Sequence, residues 1–282
     1  MAEISLALAA SHTPGLTGWF DKAPDEDRRI VRRAYDAIHQ AVLDSRTDVL
    51  LVIGNDHVAN ARVNDYADFT FGLAERHTGP DEWFKPWLRV ADYALPGAPD
   101  VAATLHDQVR DSGRTVRAVR ENLRFDDNLS VPSAMADLPG TGVAVVPVLQ
   151  NCTVPPVPDE RACYAFGQAL GTAIRTALPD GLRVGLLGSG GLSHEPGGPR
   201  YLEIDEEFDR WWLDLLVAGD HERVLAEATF ERMEEAGSGG TAELLSWVVV
   251  MGAIGPRPCT SLGYSAVDQW RCGVGAVQWD LS

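Results

Sequence analysis

The continuous apolar run Val49-Leu50-Leu51-Val52-Ile53 restricts the fold more than any other stretch of the chain. With no polar residue to face water, it reads as a strand covered on both sides. Residues 25–44, just before it, place Ile30, Val31, Tyr35, Ile38, Ala41 and Val42 at helical spacing. That spacing predicts an amphipathic helix. A shorter apolar strand, Ile4 to Ala9, comes first and stops at Pro14-Gly15, so the opening unit is strand, helix, strand. The alternation continues with weaker strands near 68–73 and 115–119 and a strong strand at Gly142–Val148. A helix from Arg161 to Leu178 and a buried strand from Leu182 to Leu187 follow. Residues 202–254 read as helical with a glycine break at Gly237-Ser238-Gly239-Gly240, and short strands near 260–266 and 273–279 come last. No repeat, low-complexity linker or shift of composition divides the chain. The expectation is one domain over residues 1–282, an α/β/α sandwich around a mixed, largely parallel sheet.

Charge narrows the function classes. Lys+Arg number 24 against 41 Asp+Glu, a net charge of −17, and such a chain repels phosphate backbones. The one concentration of arginine, Arg28-Arg29 and Arg32-Arg33, is interleaved with Asp25, Glu26, Asp27 and Asp36 and reads as a solvated helix face. No nucleic-acid partner is expected. No apolar run approaches the ~20 residues of a membrane span, and Met1-Ala2-Glu3-Ile4 lacks the basic start of a signal peptide. The cysteines at 152, 163, 259 and 272 show no metal-site spacing; they suit core positions in a reducing cytoplasm.

Three buried strands run directly into loops that carry histidine: Ser11-His12-Thr13-Pro14, Gly54-Asn55-Asp56-His57 and Gly188-Ser189-Gly190-Gly191-Leu192-Ser193-His194. In open α/β sheets the ligand site lies beyond the carboxyl ends of the strands. One loop histidine is ordinarily a surface residue, but three in equivalent topological positions point to a shared site. His39, His77, His106 and His221 lie in mixed-charge segments and are expected at the surface. Glu243 follows the glycine turn in the first turn of a helix; on spacing alone the helix dipole explains it. The two Gly-Ser-Gly-Gly strings lack the lysine and the further glycines of a phosphate or dinucleotide loop.

These landmarks, with Gly239-x-x-x-Glu243-x-x-x-Trp247, resemble the class III extradiol ring-cleavage dioxygenases, in particular relatives of the catalytic (β) subunit of protocatechuate 4,5-dioxygenase. The likeness runs through nearly the whole chain, including Asn151 to Pro156, Cys163 to Gly167 and Gly252-Ala253. It implies a non-haem Fe(II) enzyme that inserts both atoms of O2 into the ring of a catechol-type diol or aminophenol. His12, His57 and Glu243 match the metal ligands of the family, and His194 its acid–base histidine. Two imidazoles and a carboxylate leave coordination positions open, as an oxygenase requires. Thr13 is a substrate-contact candidate beside His12. Some relatives work with a small helical subunit, so a separate small partner is one expectation and a homodimer another. The competing reading on the same scaffold is a metal-dependent hydrolase or lyase that activates water rather than O2.

The chain departs from the family at Phe125-Asp126-Asp127-Asn128-Leu129-Ser130-Val131-Pro132, where Asp127 stands in place of a substrate-contacting histidine. Either Asp127 accepts a hydrogen bond from an additional hydroxyl or amino group on the ring, or it is a turn aspartate and the contact lies elsewhere. Asp56 and Asn55 have two readings as well: supporting His57 from behind, or simply ending the strand. Trp83-Phe84-Lys85-Pro86-Trp87 is a candidate cover for the pocket or an ordinary packing or subunit surface. Arg200 is a candidate for a substrate carboxylate or for a plain ion pair with Asp205, Glu206 or Glu207.

Overall fold

The computed structural model describes residues 1–111 and 113–282. Its strands are β1 (Glu3–Ala10), β2 (Val49–Asn55), β3 (Phe69–Gly72), β4 (Arg76–Gly79), β5 (Tyr93–Pro96), β6 (Val116–Val119), β7 (Ala144–Gln150), β8 (Arg183–Ser189), β9 (Cys259–Val267) and β10 (Cys272–Trp279). The helices that cover them are α1 (Asp25–Asp44), α2 (Pro99–Val109), α3 (Asp127–Met135), α4 (Glu160–Ala177), α5 (Glu206–Ala218) and α6 (Leu245–Ile254). Eight strands form one sheet in the order β6-β3-β7-β2-β8-β1-β10-β9, and β4 pairs with β5 in a separate ribbon. The four central strands, β7, β2, β8 and β1, run parallel. Antiparallel pairing at β3–β7, β1–β10 and β10–β9 makes the sheet mixed.

Strand alternation sorts the side chains into two cores. Ala7 and Ala9 of β1, with Leu51 and Ile53 of β2, pack under α2, α4, α5 and α6. Leu6, Leu8 and Ala10, with Leu50 and Val52, pack under α1 and α3. The result is the expected three-layer α/β/α arrangement. Helix α6 is buried along its whole length, which is why its sequence is apolar all round. It is a fixed support for the short helical turn Thr241–Leu244 that precedes it.

Register brings three strand ends together. Ala10 of β1 and Gly54 of β2 both pair with Ser189 of β8, and Asn55 pairs with Gln150 of β7. The loops leaving β1, β2 and β8 therefore start side by side. Two histidines depart from the sequence expectation: His77 and His221 are buried rather than at the surface. His77, in β4, lies edge-on to Phe125, and His221 meets the Tyr164 hydroxyl at 3.1 Å through Nδ1. Among the described residues, no helix is long and apolar enough to cross a membrane.

Candidate active site

His12 leaves β1, His57 leaves β2, and Glu243 rises from the turn before α6 to meet both. Glu243 Oε2 lies 3.1 Å from His12 Nε2, and its Oε1 lies 3.0 Å from His57 Nε2. The carboxylate is buried and also accepts a 2.8 Å hydrogen bond from the Gly191 amide. His194 closes the group from the β8 loop, with Nε2 at 3.6 Å from Glu243 Oε1. Its Nδ1 is 2.9 Å from the Leu192 carbonyl. A carbonyl only accepts, so Nδ1 carries the proton and Nε2 is the atom turned to the centre.

The glycine strings serve this packing. A Cβ at Gly190 would sit 2.4 Å from the Glu243 carbonyl oxygen, and one at Gly191 would sit 2.6 Å from His194 Cε1. Likewise a Cβ at Gly240 would lie 2.4 Å from the His194 carbonyl oxygen. The motif read from the sequence is thus a close approach of two backbone segments, the loop after β8 and the turn before α6, rather than a phosphate cradle.

The electrostatics follow from burial opposed by neighbours of opposite charge. Burial disfavours the Glu243 carboxylate, but His12 and His194 overcome it and hold its pKa well below the usual carboxylate range. Burial works against protonated His57, yet Asp126 and Asp127 raise its pKa well above the ordinary imidazole value. For His194, burial is likewise outweighed, by Cys272 and Glu243, and its pKa is raised. Burial opposes the charged form of Asp127 as well, but His57 and His12 hold its carboxyl low.

The donor set fits a divalent metal. His12 is 2 % exposed, and its Nε2 has no hydrogen-bond partner even though Glu243 stands beside it. His57 Nδ1 faces two carboxylates, Asp126 at 3.0 Å and Asp127 at 3.2 Å. Facing only acceptors, Nδ1 is protonated and Nε2 is the nitrogen offered to the centre. One ligand atom each from His12, His57 and Asp127 can be chosen within 4.8 Å of one another. Asp127, flagged as the departure from the family, therefore belongs to the site.

Other expectations are redistributed. Asp56 does not reach the His57 ring; its carboxylate takes the Ala59 amide and the Asn60 side chain, each at 3.0 Å. Side chains of adjacent extended residues point to opposite faces, and the carboxylate behind His57 is that of Asp126, from another loop. Asn55 is buried with both side-chain polar atoms unpartnered, while its carbonyl accepts from Asn128 Nδ2. Arg200 lines a separate surface pocket rather than the cavity over this centre, and its ion pair, at 2.9 Å, is with Glu195 rather than Asp205, Glu206 or Glu207.

A cavity of about 330 Å3 opens over the centre. His57, Asp127, His194 and Glu243 form its floor, and Thr13, Trp19, Phe84, Trp87, Tyr201, Trp270 and Arg271 form much of its wall. Thr13 lines it with its hydroxyl donated to the Trp270 carbonyl at 3.0 Å. Of the aromatic segment, Phe84 and Trp87 face the cavity, whereas Trp83 is 74 % exposed. Trp270 and Arg271 sit at the turn joining β9 to β10, and Phe20 stacks on Trp270 with ring centres 5.3 Å apart. The sequence reading missed Asp126, Ser189 and Arg271. All three depend on contacts distant in sequence, and composition gave no sign of them.

Fold and donor set define an α/β enzyme with a metal-binding centre at the carboxyl edge of its sheet. Over residues 6–275 the sequence matches the family described as the catalytic LigB subunit of aromatic ring-opening dioxygenase, and the chain belongs to it. It is an aromatic ring-opening dioxygenase of the extradiol type. A 2,3-dihydroxyphenylpropionate/2,3-dihydroxicinnamic acid 1,2-dioxygenase of Rhodococcus sp is 26 % identical over 95 % of both chains. One from Paraburkholderia phymatum is 27 % identical over 95 % of this chain and 94 % of its own. Gallate dioxygenase of Pseudomonas putida is 36 % identical over 112 residues, covering 40 % of this chain and 32 % of its own length. The crystal structure of uncharacterized protein JW3007 from Escherichia coli K12 shares the fold, with TM-score 0.55 and 15 % identity over 97 % of this chain and 98 % of that one.

Proposed function

We propose that the chain holds Fe(II) on His12, His57 and Glu243 and opens the ring of a catechol-type diol that carries an acidic substituent. The observation that carries this reading is the convergence of His12 Nε2 and His57 Nε2 on the two oxygens of one buried carboxylate. When bound, iron(II) supplies open coordination positions for the diol and O2 and a spin-permitted path for electrons between them. The chain supplies position and protons. His194 Nε2, free of its own loop, takes a proton from the incoming diol and returns one as the ring opens. Trp19, Phe84 and Trp87 offer flat faces to a flat ring and keep water from the floor.

Two residues select the substrate. Among the described residues, Arg271 is the one guanidinium or ammonium lining the cavity. It lies over the rings of Tyr201 and Trp19, with centroid distances of 4.5 and 5.6 Å, and hydrogen-bonds the Tyr201 hydroxyl. A planar cation fixed at the wall suits a carboxylate, and the relatives of known name act on phenolic acids. Asp127 lines the floor as a carboxylate and accepts a hydrogen bond from a hydroxyl or amino group beside the diol. The four cysteines are all buried and free, which fits a reducing cytoplasm.

The test is anaerobic loading with Fe(II), then an oxygen-electrode screen of catechols, gallate-type triols and aminophenols with and without a carboxylate. Oxygen uptake matched one-to-one by a yellow ring-opened product is expected, with acidic rings bearing a further hydroxyl or amino group ranked first. Tight iron binding without uptake on any ring would overturn the reading.

A further inference from the structure

Donor counting at the end of β8 identifies how His12 is held. The Ser189 hydroxyl is buried between the Asn128 carbonyl, at 2.7 Å, and His12 Nδ1, at 2.9 Å. A hydroxyl carries one proton and a carbonyl only accepts, so that proton goes to Asn128. The hydroxyl oxygen must then receive the Nδ1–H of His12. This leaves Nε2 as the bare nitrogen, and it is the atom that faces Glu243.

The same helical turn holds the second histidine. Asp126 caps α3 by accepting the Asn128 amide at 2.9 Å through Oδ1, and its Oδ2 lies 3.0 Å from His57 Nδ1. Asp126 and Asn128 of this one turn thus support both imidazoles, His57 directly and His12 by way of Ser189. We propose that Ser189 is a positioning residue for the metal, which with the first turn of α3 fixes His12 as the Nδ1–H tautomer and presents its Nε2 to the ion. The inference rests on His12, His57 and Glu243 being the ligands, and it extends that reading to what orients them. Removing such a partner costs about 10–100-fold in metal affinity.

The experiment titrates the metal-free full chain with Co(II) and Zn(II) against a competing chelator, for the wild type, Ser189→Ala and Asp126→Asn. Ser189→Ala is expected to bind both ions about 10–100-fold more weakly, with a two-state metal-free melt showing that the fold is retained. In the Zn(II)-loaded wild type, nitrogen-15 NMR is expected to show His12 protonated at Nδ1 and coordinated through Nε2. Its Nδ1–H should exchange slowly in the wild type and rapidly in Ser189→Ala. Equal affinities for wild type and Ser189→Ala, or coordination of His12 through Nδ1, would overturn the proposal and leave the ligand assignment standing. A wild type that binds neither ion would overturn both. Should Ser189→Ala fail to fold, the wild-type tautomer alone decides.

Discussion

Beneath the cavity the polar side chains of the centre are each held by a partner: His12 by the Ser189 hydroxyl, His57 by the Asp126 carboxylate, Glu243 by the Gly191 amide. The wall is made differently, from aromatic rings on separate loops around the single guanidinium of Arg271. Floor residues come from strand ends whose spacing the sheet register fixes, and from a turn anchored by a fully buried helix. Wall residues come from separate loops that meet through side chains resting on one another or on a neighbouring carbonyl, such as Phe20 on the Trp270 ring and Thr13 on the Trp270 carbonyl. The contrast separates two tasks. Geometry that must hold within a fraction of an ångström rests on hydrogen-bonded main chain, and the choice of ring is left to surfaces that change one residue at a time.

If that division is right, changes on the floor act on kcat and changes on the wall act on KM. The largest effect is expected at His194. His194→Ala should lower kcat roughly 10^2–10^4-fold while iron content and KM stay near wild type, as read by steady-state oxygen uptake and metal analysis. A rise in KM with kcat preserved would place His194 on the wall and break the comparison. Next comes Arg271→Met, which removes a charge-assisted contact worth about 1.5–3 kcal/mol. KM for an acidic diol should rise about 10–100-fold, with little change for the same diol lacking its carboxylate. Equal losses on both substrates would show that Arg271 only braces Tyr201.

A smaller effect sharpens the contrast from outside the site. On the floor, neighbouring acids outweigh burial and raise the pKa of His57 and His194. At His77 burial dominates and pushes the pKa down to about 4. The unfolded chain, with His77 near 6.5, then takes up its proton first. Stability from this residue is complete above about pH 6.5 and falls as the pH drops towards 4. Between pH 7 and 5 the loss is about 2 kcal/mol, and His77→Leu should remove that part of the slope in urea melts. An unaltered slope would mean that other groups govern acid unfolding.

The legibility of the molecule follows the same division. Strands β1, β2, β7 and β8 were readable because burial on both faces leaves unbroken apolar runs, and the three histidines were readable because each follows such a run. Helix α3 was not: Pro132 lies inside it and it lacks an apolar stripe. Its first turn was accordingly read only as the place where the family pattern breaks. Asp56 was nominated as a neighbour of His57 in sequence, whereas Asp126 reaches the ring across the fold. The β4–β5 ribbon gives no sequence signal because its strands are four residues long and only partly buried, and His77 is buried as the inward-facing residue of its β4 strand. Glu243 was visible through family resemblance alone, since nothing in its local sequence separates a ligand from a helix-start acid.

The position of β1 between β8 and β10 also bears on how the protein is made. Strand β1 has both of its neighbours far downstream in the chain, one beginning at Arg183 and the other at Cys272. At about 5–20 residues per second, His12 waits on the order of ten seconds for the strand that will place it, and longer for Glu243. A nascent chain therefore has no assembled centre with which to capture metal until Glu243 has emerged. Loading with metal thus waits until Glu243 has been made, and a bound ion reports that β1 and the turn before α6 have already met.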